Sequence, residues 1–170
     1  MTRDTYIRMT NATRRIASRL PGGASALRLP TLVCAAVYIA ALLRLMFARD
    51  PRLIRALFVP ACCFFACTAL RALINRERPY DRFGAEPVGS FRPGKGKSMP
   101  SRHTASAAAI AFSILYLHPA PAVAAAMLLL CLLIAALRVL SGQHYPADVA
   151  AALALSAALS LIGYSLPLPV

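Results

Sequence analysis

Five apolar runs divide the chain, separated by short polar or basic segments. The first covers roughly Leu29 to Phe47, the second about Leu53 to Ile74. The third begins just after His103 and reaches about Leu117, the fourth covers about Ala122 to Leu140, and the fifth runs from near Pro146 to near Tyr164. Each is close to the ~20 residues that span a bilayer as a helix, the third being shortest. No alternating pattern supports strands, and Ala and Leu dominate, so the expected fold is an all-α, multi-pass membrane bundle of about five transmembrane helices. Asp50-Pro51 and His118-Pro119-Ala120-Pro121 mark tight connections on one side. The insert Asn75 to Arg102, rich in glycine, proline and charge, falls on the other side with Ser141 to Pro146.

Residues 1 to 28 break this pattern. They are polar and basic, with Ile7, Met9, Ile16 and Leu20 scattered among Arg3, Arg8, Arg14, Arg15, Arg19 and Arg28. No apolar core follows at the place a cleaved signal peptide needs one. The reading is a basic tail with a short interfacial helix, broken by Pro21, Gly22 and Gly23, ahead of a membrane-embedded domain over residues 29–170.

Composition fits this organisation and removes other classes. Of the 170 residues 59% are hydrophobic and 15% charged, with a formal net charge of +13. That is too apolar for a soluble globule and too apolar for a disordered basic tail. Cys34, Cys62, Cys63, Cys67 and Cys131 all lie within apolar runs without a His or carboxylate beside them, so they read as small buried hydrophobes. From Thr104 onward the only charged side chains are Arg138 and Asp148.

Ionisable groups in or beside spans are costly and usually functional. Three clusters converge on one membrane face. Arg71, Arg78 and Pro79 end the second run; if the helix continues, the seven-residue spacing puts both guanidiniums on one face, where an anion would relieve their repulsion. A basic stop-transfer flank is the plainer alternative. Pro100-Ser101-Arg102-His103 leads into the third run, with Ser101 as candidate N-cap, free N–H groups that suit an anion, and His103 placed to donate a proton. A simple cap beside an interfacial His is the alternative. Arg138, His144 and Asp148 form the third cluster: Asp148, in the first turn of the last helix, can orient His144 for attack, although a structural Arg138–Asp148 ion pair is also open. The inventory fits attack by one histidine on a phosphate ester, with a second histidine protonating the leaving oxygen and cations holding the phosphoryl group. Carboxylates are too few for a metal site, and no cofactor is expected.

In order and spacing these clusters resemble the signature of the type 2 phosphatidic acid phosphatases, relatives of the vanadium haloperoxidases: K-x6-R-P, P-S-G-H and S-R-x5-H-x3-D. This sequence has Arg71-x6-Arg78-Pro79, Pro100-Ser101-Arg102-His103 and Leu137-Arg138-x5-His144-x3-Asp148. The resemblance implies that His144 is a nucleophile forming a phosphohistidine, that Asp148 orients it, and that His103 is the general acid. It implies that Arg71, Arg78, Ser101, Arg138 and the backbone N–H of Arg102 bind phosphate, without a metal. Three positions depart from the signature: Arg71 replaces Lys, Arg102 replaces Gly and adds a bulky cation, and Leu137 replaces Ser. Many members of the family also have six spans.

The implied substrate is a lipid phosphomonoester or diphosphate of the phosphatidylglycerophosphate, phosphatidate or polyprenyl phosphate type, with membrane lipids as the other partners and no role for nucleic acid. All but four of the 19 Lys and Arg, the exceptions being Arg44, Arg49, Arg52 and Arg55, lie on the motif-bearing side. The positive-inside rule therefore places tail and site on the cytoplasmic face, in the cytoplasmic membrane of a bacterium. Two other classes stay open: a non-enzymatic anionic-lipid-binding scaffold, supported by the basic tail and loops, and a small transporter. The second is disfavoured because the last three runs carry nothing ionisable at mid-membrane.

Overall fold

The structure, a computed structural model, describes residues 1–94, 96–117 and 120–167. The turn expected at His118-Pro119, and Lys95 of the insert, lie outside the described residues. All regular structure among the described residues is helical: α1 (Arg3–Ser18), a 3₁₀ turn (Gly23–Arg28), α2 (Leu29–Phe47), α3 (Arg52–Ile74), α4 (Pro79–Phe83), α5 (Arg102–Tyr116), α6 (Pro121–Leu140) and α7 (Pro146–Ser165). Four stretches, Gly23–Phe47, Arg52–Phe83, Pro121–Leu140 and Pro146–Ser165, are long and apolar enough to cross a membrane. Their large side chains point outward in number, Phe47, Phe58, Phe65, Leu129 and Leu161 among them, as a lipid-facing surface requires.

The remaining long helix, α5, is the shortest of the five at 15 residues, and it lies at the centre, packed against α2, α3, α6 and α7. Its sequence explains that position. Ala105, Ala107, Ala108, Ala109 and Ala111 are all buried, and small side chains let neighbouring backbones approach closely where lipid supplies no hydrophobic drive. Cys67 and Ala152 pack on Ala105, and Val59 and Cys63 on Ala109. Polar side chains fasten the helices: Ser156 donates to the Ala105 carbonyl at 2.9 Å, and Arg52 donates to the Leu117 carbonyl at 3.4 Å, joining the start of α3 to the end of α5.

α1 does not float free of the bundle. Tyr6 is completely buried, its ring against Phe83 and its hydroxyl donating to the carbonyls of Ala85 (3.0 Å) and Gly142 (3.3 Å). Burial pushes the Tyr6 phenol up to about 12, so it remains a donor at working pH. Thr13 donates to the Leu140 carbonyl at 2.9 Å, and Arg14 to the Glu86 carbonyl at 3.1 Å. The helix thus straps two connections together, residues 84–92 of the insert and 141–145. Val88 N–H donating to the Ser141 carbonyl at 2.8 Å closes the same seam.

Candidate active site

Helix ends and the two connections bring the three clusters to one cavity of about 710 Å³, lined by Arg71, Arg78, Arg102, His103 and Arg138 among others. The route differs from the sequence expectation at one point. α3 does not continue to Arg78; Asn75, at φ 41°, caps it in the left-handed region, and Arg78 starts α4 from extended backbone. Arg71 and Arg78 therefore reach the cavity across a break in the helix rather than by sharing one helix face. Asn is one of the few residues that takes that conformation readily.

Three of these four cations are held from behind. The buried Arg71 donates to the Pro100 carbonyl at 2.9 Å, Arg78 to the Gly96 carbonyl at 3.2 Å, and Arg138 to the Gln143 side-chain oxygen at 2.8 Å. A planar guanidinium fixed by one edge keeps its other donors for an anion. Ser101 stands at the N-cap of α5, yet its side chain makes no capping bond; it is buried and accepts from the Thr104 hydroxyl at 3.1 Å. Ser101 is not among the residues lining the cavity, whereas the bulky Arg102 and Leu137 are.

His144 and Asp148 are buried, 2% and 0% exposed, and are not among the residues that line the cavity. The His144 Nδ1 stands 3.6 Å from Asp148 Oδ2, slightly beyond hydrogen-bond length, and has no other partner. Burial pushes the His144 imidazole below its ordinary value; Asp148 pulls it up, and the Arg78 and Arg71 charges push it down again. The ring is accordingly neutral at neutral pH and keeps a lone pair on one of its nitrogens.

Asp148 turns out to be the hub of the site, through partners the motifs do not name. Its Oδ1 accepts from Arg76 at 2.9 Å, and its Oδ2 accepts from Ser98 and from the Tyr145 N–H, the latter at 2.9 Å. The Arg76 guanidinium also covers the Tyr145 ring at 4.2 Å from its centroid. The Asp148 backbone carbonyl accepts from Ser101 N–H at 3.0 Å, tying the start of α5 to the start of α7. The Arg138–Asp148 ion pair left open by the sequence is not the one formed; Arg76 takes that place.

Residues 52–169 match the family model described as the PAP2 superfamily. The chain belongs to the PAP2 superfamily. No curated protein matches it. Among solved structures, Aquifex aeolicus LpxE is similar at 21% identity, covering 96% of this chain and 94% of that one, with a TM-score of 0.73. The first transmembrane PAP2 type phosphatidylglycerolphosphate phosphatase from Bacillus subtilis is similar at 20% identity, covering 94% of this chain and 83% of that one, with a TM-score of 0.66. At these identities the likeness is one of fold. It embraces α1 and α2, which lie outside the residues that the family model matches, and this PAP2 superfamily member is an integral membrane protein built on that helical plan.

Proposed function

We propose that this protein is a metal-independent membrane phosphatase that hydrolyses a lipid phosphomonoester or diphosphate through a phosphohistidine on His144. The observation that carries the reading is the convergence of Arg71, Arg78, Arg102, Arg138 and His103 on one cavity, backed by the buried His144–Asp148 pair. Asp148 faces Nδ1, which leaves Nε2 of His144 for attack on phosphorus. Burial first, and then the Arg138, Arg102 and Arg71 charges, push the free His103 imidazole down to about 3, so it takes up its proton only when the phosphate dianion offsets those charges. As the N–P bond forms, the bond from phosphorus to the lipid oxygen breaks, and His103 passes that proton to the leaving oxygen. The guanidiniums and the first N–H groups of α5 offset the charge that builds on the phosphoryl oxygens. His103, now neutral, takes a proton from water as it attacks the phosphohistidine. Inorganic phosphate leaves and His144 is restored.

The donor set supports metal independence, since a single carboxylate that is already engaged by Arg76, Ser98 and Tyr145 leaves little for a divalent ion. Residues 1–28 act in this reading as an interfacial segment, and the motif-bearing side faces the cytoplasm of a bacterium. The lipid substrate is favoured by an apolar sector of the same cavity formed by Leu27, Leu32, Ile134 and Leu137. The named activity of the Bacillus subtilis structure, on a phosphatidylglycerolphosphate, points the same way.

A lipid-binding scaffold is the second reading, favoured by the exposed Arg8, Arg15 and Arg19 of the N-terminal segment. Phosphate release from purified protein separates the two. Wild type is expected to release phosphate from at least one of phosphatidate, phosphatidylglycerophosphate and a polyprenyl phosphate, with EDTA present. His144→Ala should lower that rate by roughly 10³-fold or more. Release from none of them, with intact vesicle binding, would leave the scaffold.

A further inference from the structure

Seven cationic side chains line the site cavity: Arg71, Arg78, Arg102 and Arg138 from the motif segments, and Arg28, Arg92 and Lys97 from outside them. No Asp or Glu lines it among the described residues. A phosphomonoester carries at most two negative charges, which the four motif arginines already exceed. Three further cations around the same space repel the first four, and a second anion relieves that repulsion. All three are exposed, and the backbone that carries them is fastened. Arg28 closes the 3₁₀ turn and donates to the Ser90 hydroxyl, joining the start of α2 to the insert. The carbonyl of Arg92 accepts from the Tyr80 hydroxyl at 3.1 Å. Lys97 sits at φ 56°, next to Ser98, whose N–H donates to the Arg76 carbonyl at 2.8 Å. A non-glycine residue in that region costs free energy that surrounding contacts must offset, and such residues gather at functional sites.

We propose that Arg28, Arg92 and Lys97 form a second anion subsite, which holds a second phosphate group on the head of the same lipid whose phosphomonoester is cleaved. The inference rests on the lipid phosphatase reading and adds a substrate class to it: two-phosphate heads over one-phosphate heads. Three sets of lining residues are then assigned to three parts of one molecule. The motif arginines and His103 take the scissile phosphoryl group, Arg28, Arg92 and Lys97 take the second phosphate, and Leu27, Leu32, Ile134 and Leu137 take the start of the apolar chains.

The test compares phosphatidate with phosphatidylglycerophosphate of identical acyl chains in neutral detergent micelles. Wild type is expected to show a kcat/KM roughly tenfold higher for the two-phosphate lipid, carried mainly by KM, since a charge-assisted contact has about that weight. Arg28→Ala combined with Arg92→Ala should bring the ratio of the two substrates close to one. The same comparison is made by equilibrium binding to His144→Ala protein, so that preference is read without turnover. Hydrolysis of neither lipid, with the binding preference present and abolished by the double substitution, would sink the phosphatase reading and keep the subsite. A substrate ratio that the double substitution leaves unchanged, in both kinetics and binding, overturns the subsite. Doping the phosphatidate micelles with phosphatidylglycerol addresses the source of the anion. If that raised the phosphatidate rate to the level of the two-phosphate lipid, the second anion would belong to a neighbouring lipid and the assignment to one molecule would fall.

Discussion

Asp148 carries more of the site than a partner of His144 needs to. It is fully buried and receives Arg76, Ser98 and the Tyr145 N–H at once, so both oxygens are fixed and the carboxylate stays ionised while facing the imidazole. Arg76→Ala leaves that buried charge short of its cation. Because Arg76 is itself about one-third exposed, the loss of stability is expected near 2 kcal/mol rather than the full value for a buried pair. Thermal melting in detergent measures this, and phosphate release should fall with it, with Arg76→Lys recovering part of both. His144 gives a second prediction. Its proton affinity is lowered, so the neutral form that the proposed attack requires persists as pH falls through the ordinary imidazole value. The acid limb of kcat/KM should have its midpoint below about 6.5; a midpoint at or above that value would contradict burial as the dominant influence. His103, His144 and Asp148 were legible in the sequence because their spacings survive in a chain otherwise poor in charge. Arg76 was not, since one arginine among several in a polar insert has no mark of its own. Its signal was indirect: Asp148, the one acid after residue 104, needed a cation, and the sequence offered Arg138 as readily.

At the scale of elements, apolar runs told where the long helices lie to within a few residues, because ~20-residue runs without charge have few other uses. What ends and joins them was less visible. The stop of α3 at Asn75 and the short α4 depend on one left-handed residue and a proline, and the docking of α1 depends on partners 72 or more residues away in sequence. Gly142 exposes that docking to test. It lies at φ 76°, and a Cβ there would come within 2.6 Å of the Tyr6 hydroxyl and of a Thr10 methyl. Gly142→Ala is expected to cost about 2 kcal/mol and to lift α1 from the connection that carries His144. Trypsin should then cut faster after Arg14 and Arg15, and kcat should drop. Tyr6→Phe, which removes the hydroxyl and keeps the ring, should cost about 1 kcal/mol and produce a smaller change in both readings.

For the whole molecule, the proposed orientation rests on where the arginines are. The strap of α1 on residues 84–92 and 141–145 puts tail, insert and the connection that carries His144 on one side, so one labelling experiment reports on all of them. In a variant with its five cysteines replaced and a single Cys at Gly94, an impermeant thiol reagent is expected to leave the protein unlabelled in intact cells and to label it after lysis. Labelling of intact cells would place the site outside and set the positive-inside count aside for this fold.

The modest length of α5 fixes a depth. Its far end is level with the start of α3, where Arg52 reaches Leu117, while its near end meets α3 at Cys67 and Arg71, three to seven residues before α3 stops. At 1.5 Å per residue the start of α5 is recessed about 5–10 Å below the rim that α3 reaches. Under the proposed function, a lipid phosphate would reach that recess from the leaflet beside it, with little vertical displacement. A water-soluble phosphate ester must instead descend into the recess. Thickening the bilayer lowers that floor relative to the water, and turnover in vesicles should therefore fall as acyl chains lengthen, more steeply for short-chain soluble esters than for lipids.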